Sequence, residues 1–502
     1  MGPSWLLWLL KHLLCLPGLV IATVLLLLAL GVTGRRKRRP GEPPLINGWF
    51  PFIGVFLQMK NNPLKTIQDY QKKYGNIFTL QINGNYFTFV LDPFQYPLVL
   101  KNYKQFTFAK IADKIAHKVF KLPLQSDVLK TAKESYKYLQ TKFLDLPCYN
   151  LMQNLQGVMK KQLLQAKNGE TIQLFKFCTS ILFEATYITL YGKNPDTNSG
   201  EIIHELQEDF VKFDNEFLSL LSPLPTLSLR AVKNIREKFI QNFSSENMSK
   251  MQETSEVIRI RRTILEKFPE LQEYEKGAHH FTFLWASVAN TIPATFWTVY
   301  YLLQHPEAVA VLRDEIDHLL QSTGQKKEPD FTIQFTREQL DSLVYLESII
   351  KEALRMSSVS AILRNNEEDV ILNLGNGEVH LRKGDNTVIF PPLLHYDPEI
   401  FEQPEEFKFD RFVEDGKEKT TFFKRGQKVP YFLIPFGSGI SKCPGRFLAM
   451  LEMKQFLILL FMYFDVELIE NKPQLQFTNS RFFLGIQPPP LSDISFRYKI
   501  RC

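Results

Sequence analysis

The longest apolar run of the chain lies near its beginning. From Leu13 to Val32, twenty residues carry no formal charge, enough for a helix of about 30 Å, the thickness of a bilayer's hydrocarbon core. Arg35, Arg36, Lys37, Arg38 and Arg39 follow directly, and the positive-inside rule then places the rest of the chain in the cytosol. A cleaved secretory signal has its basic residues before the apolar run and a small-residue cleavage site after it, which this pattern does not match. These features predict an uncleaved signal anchor over 1–34 and a basic, proline-rich linker over 35–48. Its Pro40-Gly41-Glu42-Pro43-Pro44 is incompatible with a helix. One large domain is expected over 49–502.

Within that domain the hydrophobic period alternates between helix and strand. Residues 63–74 have helical spacing, open on proline and stop at Gly75. Ile77–Ile82 and Tyr86–Leu91 are rich in β-branched and aromatic residues and flank Asn83-Gly84-Asn85, the signature of a hairpin. Residues 130–320 read mostly as helices. A long apolar helix is expected from His279 to Gln304, through Pro293, and an amphipathic one starts at Pro306. Further helices are expected over Arg337–Met356 and Pro444–Phe464, with short strands at Val370–Leu374, Val379–Arg382 and Thr387–Phe390. The predicted fold is mainly α with small β-sheets.

Charge adds little beyond the membrane signal. The formal net charge of +7 arises from 60 basic and 53 acidic residues, and five of the basic ones form the run at 35–39. The remainder is nearly balanced, which gives no support to nucleic-acid binding. The five cysteines, at 15, 148, 178, 443 and 502, are odd in number and scattered. They match neither a disulfide framework nor a paired-cysteine zinc site. A reducing compartment fits them, and any special cysteine must stand out by its context.

Cys443 does. Around it runs Phe436-Gly437-Ser438-Gly439-Ile440-Ser441-Lys442-Cys443-Pro444-Gly445-Arg446. Two glycines permit a tight loop, and Pro444 suits the first position of a helix. The sulfur would then sit at a helix N-terminus, where free backbone N–H groups favour a thiolate. Gly445, lacking a side chain, would let a flat ligand approach the backbone. The competing explanation is an inert cysteine buried at a helix start, the commoner fate of a lone cysteine.

The Phe-x-x-Gly-x-x-x-Cys-x-Gly frame resembles the haem-binding signature of the cytochrome P-450 superfamily. The resemblance implies haem b (iron protoporphyrin IX) as cofactor, with Cys443 as axial iron ligand and Phe436, Gly437, Gly439 and Gly445 shaping the haem cradle. Three further segments occur in the family's order. Glu352-Ala353-Leu354-Arg355 matches its Glu-x-x-Arg motif, whose ends share a helix face. The segment from Pro404 to Phe412, after His395-Tyr396-Asp397-Pro398, supplies Arg411. Together Glu352, Arg355 and Arg411 are expected to form a buried structural triad bracing the cysteine loop. In the long helix, Thr291 holds the family's hydroxyl position and Asn290 replaces its usual acid, so this pair is implied in handling protons for dioxygen. The alternative for both is a buried helix whose polar side chains bond its own carbonyls beside Pro293.

Two family features are absent. Ser441 stands where arginine usually meets a haem propionate, and no Trp-x-x-x-Arg occurs, the tryptophans being at 5, 8, 49, 285 and 297.

The stretch from Trp285 to Trp297 resembles the sterol 7α-hydroxylase branch, where asparagine likewise replaces the acid. That implies 7α-hydroxylation of oxysterols and related 3β-hydroxysteroids, with Trp285, Ala289, Asn290, Leu363, Phe483 and Leu484 as substrate-pocket residues. The resemblance further implies a position in the endoplasmic reticulum membrane, single-pass, with the catalytic domain facing the cytosol. No strand-linked GxGxxG for flavin or nicotinamide is present, so electrons are expected from a separate NADPH-dependent flavoprotein reductase. Lys424, Arg425, Lys428 and Lys442 are candidates for attracting its acidic face. Two rivals remain. Asn290 also occurs near this point in the prostacyclin-synthase branch, which rearranges a lipid peroxide without a reductase, although those relatives lack the following threonine. The other is a non-catalytic membrane sterol-binding haem protein.

Overall fold

The computed structural model describes residues 36–124, 133–165, 171–221, 229–327, 333–375, 377–470, 475, 481 and 483–501. The predicted membrane span at Leu13–Val32 lies outside them. Among the described residues no helix is long and apolar enough to cross a membrane.

Two units divide the chain, the first taking residues up to Phe108 together with Ile362–Leu393. In it, strand β1 (Leu45–Ile46) is built from residues read in the sequence as linker. Helix α1 (Pro63–Tyr74) has the predicted bounds. The Asn62 side chain accepts from the Lys65 amide at 3.0 Å, and Gly75 ends the helix at a φ of 86°. The predicted hairpin forms as β2 (Ile77–Ile82) and β3 (Asn85–Val90). Asn83 and Gly84 both turn at positive φ, 45° and 76°, as the tight hairpin turn requires.

Strand β4 (Phe106–Thr107) and, much later in the chain, β5 (Ile362–Asn366) complete the edge. Strands β6 (Val370–Asn373) and β7 (Glu378–Leu381) pair as a separate hairpin, and β8 (Asn386–Ile389) returns to the main sheet. The order is β1-β2-β3-β8-β5-β4, with β1–β2 and β3–β8 parallel. Phe78 and Phe89 stack at 5.5 Å on its buried face. The Glu42 carboxylate receives the Arg39 amide at 2.8 Å and the Arg382 guanidinium, and Arg36 meets Asp385 at 2.5 Å. The front of the chain is thereby fastened to this sheet.

The second unit, Ala109–Ala361 with Leu394–Cys502, is helical. Its elements include α2 (Asp145–Gln165), α3 (Leu174–Tyr191), α4 (Ser199–Asn215), α5 (Glu273–Val288), α6 (Thr291–Gln304), α7 (Pro306–Thr323), α8 (Arg337–Asp341), α9 (Val344–Ser357) and α10 (Arg446–Tyr463). Helices α3, α6 and α10 are apolar nearly all round and almost wholly buried, and α6 packs against both of the others. Phe464–Leu468, Ser495–Ile500 and Thr171–Gln173 form a small antiparallel sheet.

Three predicted helices have different bounds. The long helix through Pro293 starts earlier, at Glu273, and is broken: α5 ends at Val288 and α6 begins at Thr291. Pro293 has no N–H for the Ala289 carbonyl, and its ring crowds that oxygen. The helix expected over Arg337–Met356 splits into α8 and α9. The cause is Glu315 on α7, whose carboxylate oxygens accept the Tyr345 and Leu346 amides at 2.8 Å each and so cap a new N-terminus. The last helix starts at Arg446, with Gly445 as its N-cap, two residues later than the proline predicts.

Candidate functional site

The chemistry gathers in the second unit, on the loop before α10. Three cysteines are described. Cys148 and Cys178 are buried, and burial pushes the Cys148 thiol up to about 11 and Cys178 well above its usual range. Cys443 alone among them is partly accessible. Its loop turns on Gly437 and Gly439 at φ values of 67° and 69°, which L side chains rarely adopt. The Gly437 amide donates to the Ile434 carbonyl at 3.3 Å and the Cys443 amide to Phe436 at 2.9 Å, closing the loop.

Burial pushes the Cys443 thiol up as well, but the Gly445 and Arg446 amides and the Arg446 guanidinium pull in the opposite direction. A Cβ on Gly445 would meet only the sulfur, at 4.0 Å, and one on Gly437 only the Ser441 oxygen, at 3.7 Å. The face beside the sulfur is therefore open to a flat group, with backbone N–H donors already aimed at the sulfur. These residues fit a haem with a cysteine ligand. A cavity of about 600 Å³ runs along the same loop, lined among others by Phe436, Gly437, Lys442, Arg446 and Phe447.

Behind the loop lies a closed ionic cluster. Glu352, on α9, accepts Arg355 Nε at 2.8 Å and Nη2 at 2.9 Å, Arg411 Nε at 2.8 Å, and the Lys408 amide at 3.1 Å. Glu352 and Arg355 are fully buried and the Arg411 side chain is 6 % exposed. The spare guanidinium donors go to main-chain carbonyls of residues 395, 402, 403 and 406. One such carbonyl belongs to His395, which was quoted in the sequence motif without a role. Arg355 Nη1 donates to its oxygen at 2.6 Å, and its ring Nε2 accepts the Ile434 amide at 3.1 Å. Burial, with help from Arg355, pulls the imidazole down to about 3, so the ring is neutral and acts as an acceptor. His395 thus links the triad to the strip of chain that opens the cysteine loop. Its only sequence signal was its place directly before Tyr396-Asp397-Pro398.

The α5–α6 break carries the other predicted residues. Thr291 is buried, and its hydroxyl donates to the Ser287 carbonyl at 3.1 Å, the self-bonding arrangement weighed for it above. Asn290 is half-buried and accepts from Arg481 and the Ile486 amide. Trp285 stacks on Phe217 at 4.5 Å and donates Nε1 to Asp214 at 3.0 Å. Ala289 is buried. Phe483 turns at a φ of 70°, its carbonyl taking the Ala361 amide at 3.2 Å, and Leu484 packs on the core. Leu363 belongs to the first unit, where it pairs with Val388 across β5 and β8. Of the basic residues expected to face a partner, Lys424 is engaged by Asp397 and by Glu399 at 2.9 Å, so its charge is locally matched. Arg364, not singled out from the sequence, is a buried cation in the first unit that burial brings down to about 10.

The Cytochrome P450 family model matches residues 43–493. The chain belongs to the cytochrome P450 family. Cytochrome P450 7B1 of Mus musculus is 48 % identical over 97 % of this chain and 96 % of its own length. The 25-hydroxycholesterol 7-alpha-hydroxylase of Rattus norvegicus is 48 % identical over 81 % of this chain and 99 % of its own. Cholesterol 7-alpha-monooxygenase of Cricetulus griseus reaches 38 % over 93 % and 95 %. In architecture the chain is similar to the retinoic acid-bound cyanobacterial CYP120A1, with a TM-score of 0.71 over 92 % of this chain and all of that one, at 19 % identity. That likeness concerns the fold alone. As a cytochrome P450 the chain is a haem-thiolate enzyme of the monooxygenase type, in the company of sterol 7α-hydroxylases.

Proposed function

We propose that this enzyme hydroxylates oxysterols and related 3β-hydroxysteroids at the 7α position, taking electrons from NADPH through a separate flavoprotein reductase. What carries the reading is the accessible Cys443 on its glycine loop, in a chain 48 % identical to a protein named 25-hydroxycholesterol 7-alpha-hydroxylase. Haem b, held by Cys443 and cradled by Phe436, Gly437, Gly439 and Gly445, supplies the one-electron and dioxygen chemistry. In the net reaction one oxygen atom enters a C–H bond and the other leaves as water, with two electrons from NADPH and two protons.

The residues of the chain have separate tasks. The Gly445 and Arg446 amides hold charge on the sulfur. Glu352, Arg355 and Arg411 keep the loop in place from behind. Thr291 and Asn290 manage hydrogen bonds and protons on the oxygen side, and Trp285, Ala289, Phe483 and Leu484 shape the sterol's apolar surroundings. Trp49, at 87 % exposure, with Phe50, Phe52 and Leu57 forms an exposed apolar group in the first unit. Such a group suits the interface of the endoplasmic reticulum membrane, where a sterol is dissolved.

The test is reconstitution of the holoenzyme with reductase, NADPH and 25-hydroxycholesterol, the product being identified by mass spectrometry and NMR. A 7α-hydroxylated product that requires NADPH and disappears in Cys443→Ala is expected. Turnover of a lipid peroxide without NADPH would replace this reading with an isomerase, and a sterol-induced haem spectral shift with no product would leave only sterol binding.

A further inference from the structure

Asn290 is held in one chemical orientation from outside its own helix. Its Oδ1 lies 3.1 Å from Arg481 Nη1 and 3.1 Å from the Ile486 amide nitrogen. Both neighbours are obligate donors, so the oxygen must face them and the NH₂ must point away. Arg481 is itself fixed, since its Nη2 meets both carboxylate oxygens of Asp214 on α4. Asp214 also accepts Trp285 Nε1 at 3.0 Å. The Arg481 side chain is 6 % exposed and that of Asp214 17 %.

The chain segment carrying these donors is anchored independently. Trp297 Nε1 donates to the Gln487 carbonyl at 2.9 Å, and the Gln487 amide to Ser357 at 2.8 Å. Gly485 turns at a φ of 65°, and a Cβ there would fall 1.9 Å from Asn290 Oδ1. Only glycine lets the backbone come close enough for the Ile486 amide to reach that oxygen.

The amide nitrogen of Asn290 has no protein partner among the described residues. It belongs to a strip of α5 and its end where Ala286 is exposed and Ser287 and Asn290 are half-buried, residues one turn apart on one side. We infer that the Asp214–Arg481 pair is a positioning device that makes Asn290 a donor only, presenting its N–H groups to an oxygen acceptor bound beside the α5–α6 break. Asn290 then accepts no hydrogen bond on the open side, and hydrogen-bond acceptance there falls to water and to the Thr291 oxygen, whose own proton is donated to the Ser287 carbonyl. The acceptor is either a polar oxygen of the sterol or a water on the oxygen side. This rests on the proposed hydroxylase reading for its place in turnover, though not for the orientation itself.

Asn290→Asp is the decisive variant, because a carboxylate keeps both Oδ1 bonds while removing the open donors. Sterol affinity is read by spectral titration of the holoenzyme with 25-hydroxycholesterol, which needs no turnover and so remains informative if no hydroxylation occurs. Coupling is read as product formed per NADPH consumed. A roughly tenfold weaker affinity identifies a sterol oxygen as the acceptor. Unchanged affinity with coupling lowered about tenfold identifies the water. Arg481→Met strands the Asp214 carboxylate, so it is compared with the double variant Asp214→Asn/Arg481→Met, which removes both charges. The double variant is expected to fold and to show a milder form of the same defect, because the Ile486 amide still holds Oδ1. Asn290→Asp matching the wild type in both readouts would overturn the inference, as would a folded double variant with neither affinity nor coupling reduced.

Discussion

Two of the carboxylate–guanidinium clusters in the helical unit, those around Glu352 and Asp214, are built to opposite ends. Around Glu352 four donors converge on two oxygens, and the remaining guanidinium N–H groups reach carbonyls. Around Asp214 the pair passes through Arg481 to Asn290 and stops at an amide whose other side is open. The first is a brace, in which every side-chain polar atom of the three residues is used and His395 ties it to Ile434 at the start of the cysteine loop. The second is a pointer, which spends a buried ion pair on orienting one side chain. A buried ion pair is poor evidence of stability by itself, and here its purpose is read from whether the cluster closes on itself.

The contrast breaks most visibly at Glu352. Glu352→Gln leaves two buried guanidinium groups without a counter-charge, and about 3–5 kcal/mol of unfolding free energy should be lost, measured by urea denaturation followed by circular dichroism. A loss under about 1 kcal/mol would mean that the brace is carried by the carbonyl bonds instead. The middle effect concerns His395. Its folded-state value of about 3 lies below the ordinary 6.5, so the unfolded chain takes up this proton first as the pH falls. Its contribution is intact above about pH 6.5 and is lost progressively toward pH 3. His395→Gln can still accept the Ile434 amide but does not titrate. Between pH 4 and 6 its stability should fall less steeply than the wild type's by about one proton, roughly 1.4 kcal/mol per pH unit. Equal slopes would place a protonated His395 inside the folded protein. The smallest effect sits on the pointer: Trp285→Phe removes one donor from Asp214 but keeps the stack on Phe217, and about 1 kcal/mol should be lost. A larger loss would make Trp285, rather than Arg481, the main support of that carboxylate.

The sequence showed the brace far better than the pointer. Glu352 and Arg355 stand three apart on a helix, a local spacing that any reader of the chain can see, and Arg411 follows in a motif of its own. Asp214 and Arg481 are separated by 267 positions, and no local pattern announces that they meet. The bounds of α1 were legible for the same reason, since Asn62 and Gly75 act on their immediate neighbours, and the hairpin was legible to within one residue, its second strand opening at Asn85 and ending at Val90. The breaks after Val288 and before Val344 were less so. Pro293 marked the first but not which residue would end the helix, and the second depends on Glu315, a carboxylate on another helix. At the cysteine loop, the residue pattern singled out Cys443 and its glycines, whereas the bonds of His395 to Arg355 and Ile434 had no local signal.

The clamp at the front of the chain sets a distance. If Leu13–Val32 spans the bilayer as its composition predicts, the span ends four residues before Arg36, which is already held by Asp385. Four residues reach at most about 14 Å when fully extended. Under that condition a mooring so short would hold the sheet unit close to the membrane surface. The enzyme would then sample one face of a two-dimensional solvent, and the concentration that governs encounter with a lipid-dissolved molecule would be its density in the membrane, not its scarce population in the cytosol.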